Sequence, residues 1–121
     1  MEYIAVEDFE YDFVNSGDSG DLSLATDNPK EKVKIGGKKT YTVSTTIQVE
    51  NFENANVING IGVGTFTPSL KVLIEGEYAI RENDIALVSG TGDNKSPPPT
   101  TLSFVTPVEI TDAKQTKVRG N

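Results

Sequence analysis

Apolar and polar residues alternate along much of the chain, which is the pattern of half-buried β-strands. Val33 and Ile35 alternate with polar residues before the pair Gly36-Gly37, and Tyr41 and Val43 alternate with polar residues after it. Two such runs joined by glycines, which accept the positive φ of a tight turn, predict a β-hairpin. No stretch keeps a 3.6-residue apolar period for more than a turn or two, so the sequence predicts an all-β fold with little or no helix.

The hairpin phrase is repeated at a constant offset. Pro29-x-x-x-Val33-x-Ile35-x-Gly37 returns as Pro68-x-x-x-Val72-x-Ile74-x-Gly76, with every matched residue displaced by the same distance along the chain. Because an isolated two-stranded hairpin is marginal in water, repeated hairpins are expected to pack together and share a core.

A weaker third copy is predicted near the C-terminus. Val108-x-Ile110 resembles the central part of the phrase, with Asp112 at the glycine position and Val118 at the position of Val43. Three copies predict a small compact domain of hairpins around a pseudo-threefold axis. The residues expected to face inward are Ile35, Val43, Val72, Ile74, Ile80, Val108 and Ile110.

The length of 121 residues allows one domain with a modest core. We predict an N-terminal strand and loop over residues 1–28 and two repeated hairpin units over 29–89. A Gly/Pro-rich loop is predicted over 90–101, followed by a C-terminal strand or third hairpin over 102–121.

Two low-complexity stretches suggest no specific chemistry. The glycines within 58–66 are read as bends or bulges where backbones approach closely, because the spacing of a phosphate-binding loop is missing. Pro97, Pro98 and Pro99 are read as a surface loop, with a proline-rich ligand for an SH3-type domain as the weaker alternative.

The charge and the apolar runs limit the partners and the location. A net charge of −7 argues against nucleic acid, since phosphate binding depends on Lys and Arg. No apolar run approaches the length of a membrane span, and the first ten residues are acidic where a secretory signal would be basic. We expect a protein made in the cytoplasm without a signal peptide and without stable membrane insertion.

The chain contains neither Cys nor His, which removes disulfides, thiolate and imidazole metal sites and the usual nucleophilic triads. An enzyme is not expected, because carboxylate chemistry is what remains and no defensible carboxylate spacing is present. Asp84, Asp93 and Asp112 offer oxygen ligands for a hard cation, but without the spacing of a calcium loop. We predict no cofactor and no metal.

The repeated phrase resembles that of PAAR and PAAR-like proteins. In that family a phrase V-x-I-x-G-K is followed after several residues by G-D. The first copy here has Val33-x-Ile35-x-Gly37-Lys38 and then Ser44-Thr45, and the second ends in Asn83-Asp84. The resemblance covers about residues 27 to 89, with a weaker extension towards the C-terminus.

The resemblance implies a conical protein that caps the trimeric β-helical spike of a contractile injection apparatus and helps to pierce the target envelope. The apparatus would be a type VI secretion system, a phage tail or a related particle, and an effector cargo is left open as a further partner. Many family members hold the apex with a metal on His and Cys ligands, which this chain lacks. The alternative is a free-standing β-sheet module that binds a peptide or a carbohydrate.

Overall fold

The computed structural model describes residues 2–67 and 72–120 and confirms the all-β prediction, since no helix occurs in those two ranges. Pro68, a member of the repeat phrase, lies outside them. The described strands are β1 (Glu2–Tyr3), β2 (Glu10–Phe13), β3 (Ser19–Thr26), β4 (Lys30–Ile35), β5 (Lys38–Thr40), β6 (Thr46–Glu53), β7 (Val57–Thr65), β8 (Leu73–Ile74), β9 (Glu77–Tyr78), β10 (Ile85–Asn94), β11 (Thr101–Asp112) and β12 (Arg119–Gly120).

A closed ring of three backbone hydrogen bonds defines a pseudo-threefold axis. The amide of Ala5 donates to the carbonyl of Ile80 (2.9 Å), that of Tyr41 donates to Ala5 (3.1 Å), and that of Ile80 donates to Tyr41 (3.3 Å). Each of the three residues therefore donates to one neighbour and accepts from the other. We call this arrangement the central ring.

The ring divides the chain into three tandem units, each with four of the described strands: β1–β4, β5–β8 and β9–β12. Further backbone bonds repeat with the same symmetry. The amide two residues after each ring residue donates to the carbonyl two residues before a neighbouring ring residue. These bonds run from Glu7 to Lys39, from Val43 to Tyr78 and from Glu82 to Tyr3. A tight turn then follows in each unit, closed by Phe9 to Val6, Thr45 to Thr42 and Asp84 to Arg81.

Short hairpins join successive units, and the third hairpin is not where the sequence predicted it. β4 pairs with β5 and β8 with β9, whereas the third pair is made by the two ends of the chain, β1 and β12. Val108 and Ile110 lie instead in the long strand β11, fully buried. The third phrase could not be found as one contiguous segment because its two arms lie at opposite chain ends.

Val118 therefore has a different counterpart from the one predicted. Its carbonyl accepts a hydrogen bond from the amide of Ile4, as the carbonyl of Val72 accepts one from Ala79. Val118 thus corresponds to Val72, and through the repeat to Val33, but not to Val43. Asp112 ends β11 and occupies no hairpin turn.

The remaining strands form a six-stranded antiparallel sheet that is nearly closed into a barrel, in the order β2-β11-β10-β7-β6-β3. Strands from different units pair as β3–β6, β7–β10 and β11–β2, and the hairpins within the second and third units pair as β6–β7 and β10–β11. The corresponding ladder of the first unit, β2–β3, is missing between these two fully described strands. The barrel therefore has one open seam.

Stacked phenylalanines and glycines fill the barrel interior. The rings of Phe52 and Phe104 lie 4.1 Å apart and are tilted by only 8°. A Cβ on Gly60 would lie 2.8 Å from both of these side chains, and one on Gly62 would lie 2.7 Å from the carbonyl oxygen of Ser89. The prediction that backbones approach closely at the glycine-rich stretch is confirmed.

Two of the predicted segments need correction. Within the predicted segment 1–28, the described residues 2–28 contain three strands where one was predicted. β10 continues to Asn94, so residues 90–94 belong to the barrel and the connecting loop starts later than predicted. Gly90 and Gly92, which were predicted to lie in a loop, lie in β10, and a Cβ on Gly90 would collide with the β7 backbone.

The hairpins cover a second, smaller core made of Ile4, Val6, Ile35, Ile74 and Ala79, with Val72 packed against it. Most of the residues predicted to face inward are buried: Ile35, Ile74, Ile80, Val108 and Ile110. Val43 and Val72 are half-buried.

Adjacent residues of β8 provide a matched test of the smaller core, because Ile74 is 3% exposed and Leu73 is 59% exposed. Ile74→Asp should abolish the cooperative thermal transition, since it buries an unpaired carboxylate. Leu73→Asp should change the free energy of unfolding by no more than about 0.5 kcal/mol. Thermal and urea denaturation followed by circular dichroism measure both, and an Ile74→Asp protein that melts like the wild type would refute the assignment.

Candidate partner-binding surfaces

The three hairpins form one end of the molecule, which we call the hairpin end. Val33 and Val118 are 40% and 42% exposed there, and their counterpart Val72 is half-buried. Gly37 and Gly76 have φ of 80° and 83° and occupy the predicted hairpin turns. The hairpin end thus carries three corresponding valines around the pseudo-threefold axis.

The other predicted repeat residues have structural positions. Pro29 is half-buried in the link between β3 and β4. Asp84 is buried and closes the turn after the ring in the third unit. Its Oδ2 accepts the amide of Arg81 at 2.7 Å, and its Oδ1 lies 2.8 Å from the guanidinium Nη2. Burial raises the pKa of the Asp84 carboxyl, and the contacts with Arg81 oppose that rise.

The candidate metal ligands do not come together. Within residues 2–67 and 72–120 no group of three or more acidic side chains is placed to hold a metal ion. Asp84 is occupied by Arg81, whereas Asp93 is exposed on β10 and Asp112 is half-buried at the end of β11. That this chain binds no metal stays a prediction.

A polar cluster ties two of the hairpins to the ring region. The Oε1 of Glu77 lies 2.8 Å from the ammonium of Lys30 and accepts the hydroxyl of Thr42 at 2.7 Å. The hydrogen bonds from Lys30, Thr42 and Ser44 lower the pKa of the Glu77 carboxyl to about 2. Glu77 is therefore charged at neutral pH and links β9 to the second unit.

An uncharged apolar face covers the middle of the outer surface of β7, β10 and β11, between Asp93 and Glu109. Ile61, Val63, Leu87 and Val105 are each more than half exposed and lie on adjacent strands. This face was not among the predicted features. The signal was the alternation Ile61-Gly62-Val63-Gly64, because glycines that face a crowded interior turn the apolar residues outward.

A groove of about 520 Å³ lies at the open seam of the barrel, between the edge strands β2 and β3. It is lined by Phe9, Glu10, Tyr11, Asp12, Phe13, Gly20 and Leu22. Sequence reasoning could not find it, because the groove depends on a missing strand pair. A smaller groove of about 200 Å³ lies beside the loop that carries Pro97 and Pro99.

Charge is distributed unevenly between the two parts of the molecule. Within the segments of the barrel, residues 10–27, 46–65 and 85–112, Lys95 is the one basic residue. The same segments contain ten acidic residues, and five of these lie in 10–27, which contains β2 and β3. The seam side of the barrel is therefore acidic.

Comparison of the sequence with protein-family models and curated proteins, and of the fold with solved structures, found no match. Within the described ranges, no helix is long and apolar enough to cross a membrane. Function is therefore inferred from the symmetry, the exposed surfaces and the charges of this chain.

The lowered pKa of Glu77 predicts a pH-dependent contribution to stability. Because the folded pKa of about 2 lies below the ordinary value of 4.5, the contribution is complete above pH 4.5 and is lost as the pH falls towards 2. Glu77→Gln should lower the melting temperature at pH 7, and the difference from the wild type should shrink by pH 2.5. Glu50→Gln, at an exposed site, is the control. A difference that does not depend on pH would contradict the ion pair.

Proposed function

We propose that this protein is a structural cap on the blunt end of a trimeric β-helical spike in a contractile injection apparatus. The observation that carries the proposal is the central ring, in which Ala5, Tyr41 and Ile80 exchange backbone hydrogen bonds with threefold regularity. A single chain with this symmetry offers one equivalent unit to each of three identical partner chains. Val33, Ile35 and Gly37 of the PAAR-like phrase lie in the β4–β5 hairpin, and Ile74 and Gly76 lie in the β8–β9 hairpin around this axis. Asp84 closes the turn after the ring.

The hairpin end is the proposed docking surface. Val33, Val72 and Val118 lie at corresponding positions around the axis and retain exposed surface. A symmetric partner can cover three such side chains at once, and removing their exposed apolar surface from water favours association. The opposite end of the barrel, with the loops 14–18 and 95–100, would then point towards the target envelope.

The side chains break the symmetry of the backbone. The corresponding cross-strand pairs on the three hairpins differ: Lys34 with Lys39, Leu73 with Tyr78, and Arg119 with Tyr3, where the guanidinium lies 4.6 Å from the ring centroid. Lys39 and Tyr3 are half-buried, and the other four residues are exposed. A trimeric partner would present three equal surfaces to these unequal hairpins. Attachment is therefore expected to depend on the shared backbone shape and the valines.

The uncharged face of β7, β10 and β11 also favours a component of an assembly. Exposed contiguous apolar surface in a soluble protein typically marks contact with another protein. Ile61, Leu87 and Val105 on this face are 64%, 61% and 59% exposed in a chain with a net charge of −7.

Co-elution with a trimeric spike protein from its own operon tests the proposal. The wild type should form a complex of one cap per spike trimer in size-exclusion chromatography with light scattering. The double variant Val33→Asp/Val118→Asp should lose the complex and remain folded, because both sites are exposed. Two desolvated carboxylates at the interface should weaken binding by roughly a hundredfold or more.

Val14→Asp is the matched control, since Val14 is 47% exposed and follows β2 at the end away from the ring. It should bind the spike like the wild type. Absence of a complex with the wild type would reject the cap function. Equal binding by the double variant and the control would reject the hairpin end as the docking surface.

A further inference from the structure

The open seam of the barrel leaves two strand edges facing each other. β2 pairs with β11 on one side, and β3 pairs with β6 on one side, so each has a second edge without a strand partner among the described residues. The two strands are consecutive and antiparallel, joined by residues 14–18. The groove of about 520 Å³ lies between them, within the size range of ligand-binding sites.

The inner and outer surfaces of the seam have opposite chemistry. Tyr11 and Phe13 of β2 and Leu22 of β3 are half-buried and pack against the barrel core. Asp12 of β2 and Asp21 of β3 alternate with them and are exposed. A strand in the seam would thus meet apolar side chains on its inner face and carboxylates on its outer face.

Few cations compensate these carboxylates. No Lys or Arg occurs among the first 29 residues. Glu10 at the start of β2 is paired with Lys114, and Asp21 accepts a hydrogen bond from the neutral side chain of Asn51. The carboxylate of Asp12 accepts the amide of Phe13. The rim of the groove therefore keeps a negative potential that attracts basic side chains.

We propose that the seam between β2 and β3 binds an extended peptide segment of a partner protein in which apolar and basic residues alternate. The segment adds a strand to at least one free edge through backbone hydrogen bonds. Its apolar side chains cover Tyr11, Phe13 and Leu22, and its Lys or Arg side chains meet Asp12 and Asp21. This site lies on the side of the barrel, away from the hairpin end, and does not depend on the spike-cap function.

Synthetic peptides with blocked ends test the proposal directly. The probe is an alternating Val/Lys peptide of about seven residues, the length of an ordinary strand, and the matched probe replaces every Lys by Glu. Fluorescence anisotropy should show saturable binding of the Val/Lys peptide and at least about tenfold weaker binding of the Val/Glu peptide, because the latter places like charges beside Asp12. N-methylation of alternate amides should abolish binding, since it removes the donors to a strand edge.

Asp12→Lys should weaken binding of the Val/Lys peptide about tenfold, because it replaces an attraction by a repulsion. Asp93→Lys, at an exposed position of β10, should bind like the wild type. Hydrogen exchange measured by mass spectrometry should show new protection in β2 and β3 when the Val/Lys peptide is bound.

Several results would overturn the proposal. One is equal binding of the Val/Lys and Val/Glu peptides. Another is Val/Lys binding without protection of β2 and β3, which would indicate simple adsorption to an acidic surface. A third is dimerisation of the protein alone with protection of both strands, which would assign the seam to a second copy.

Discussion

The fold depends on the ring of hydrogen bonds among Ala5, Tyr41 and Ile80. In a strand, successive side chains point to opposite faces, so this ring separates two cores. Ala5, Tyr41 and Ile80 belong to the barrel core, and their neighbours Ile4, Val6 and Ala79 belong to the smaller core under the hairpins. Both cores therefore depend on the same three peptide segments, and loss of one ring bond should loosen both.

The third hairpin is held by noncovalent contacts alone, since no turn joins its arms β1 and β12 and the chain contains no cysteine. The Nε2 of Gln115 donates to the carbonyls of Ile4 and Val118, and the Nη1 of Arg81 donates to that of Gly120. A Cβ on Gly120 would lie 3.1 Å from a methylene carbon of Ile4. Small size at this position therefore lets the last strand lie against the smaller core, where the other hairpins place Ile35 and Ile74.

The sequence predicted the strand content, two of the three hairpins and the symmetry, because these follow from local alternation and from glycines such as Gly37 and Gly76. It misplaced the third copy, since the pairing of Tyr3 with Arg119 joins opposite ends of the chain. The seam was not predictable from local patterns, and the alternation Ile61-Gly62-Val63-Gly64 was the one local sign of the uncharged face. Each depends on which strands pair, and Tyr11 or Leu87 reads as an ordinary core residue until that pairing is known.

Amide hydrogen exchange of the three ring residues, resolved by NMR, tests the central ring most directly. If the ring closes as described, the amides of Ala5, Tyr41 and Ile80 exchange only through global unfolding and give the same free energy of opening. A free energy for Ala5 well below those of Tyr41 and Ile80 would mean that the N-terminal segment frays independently. That result would contradict the closed threefold arrangement.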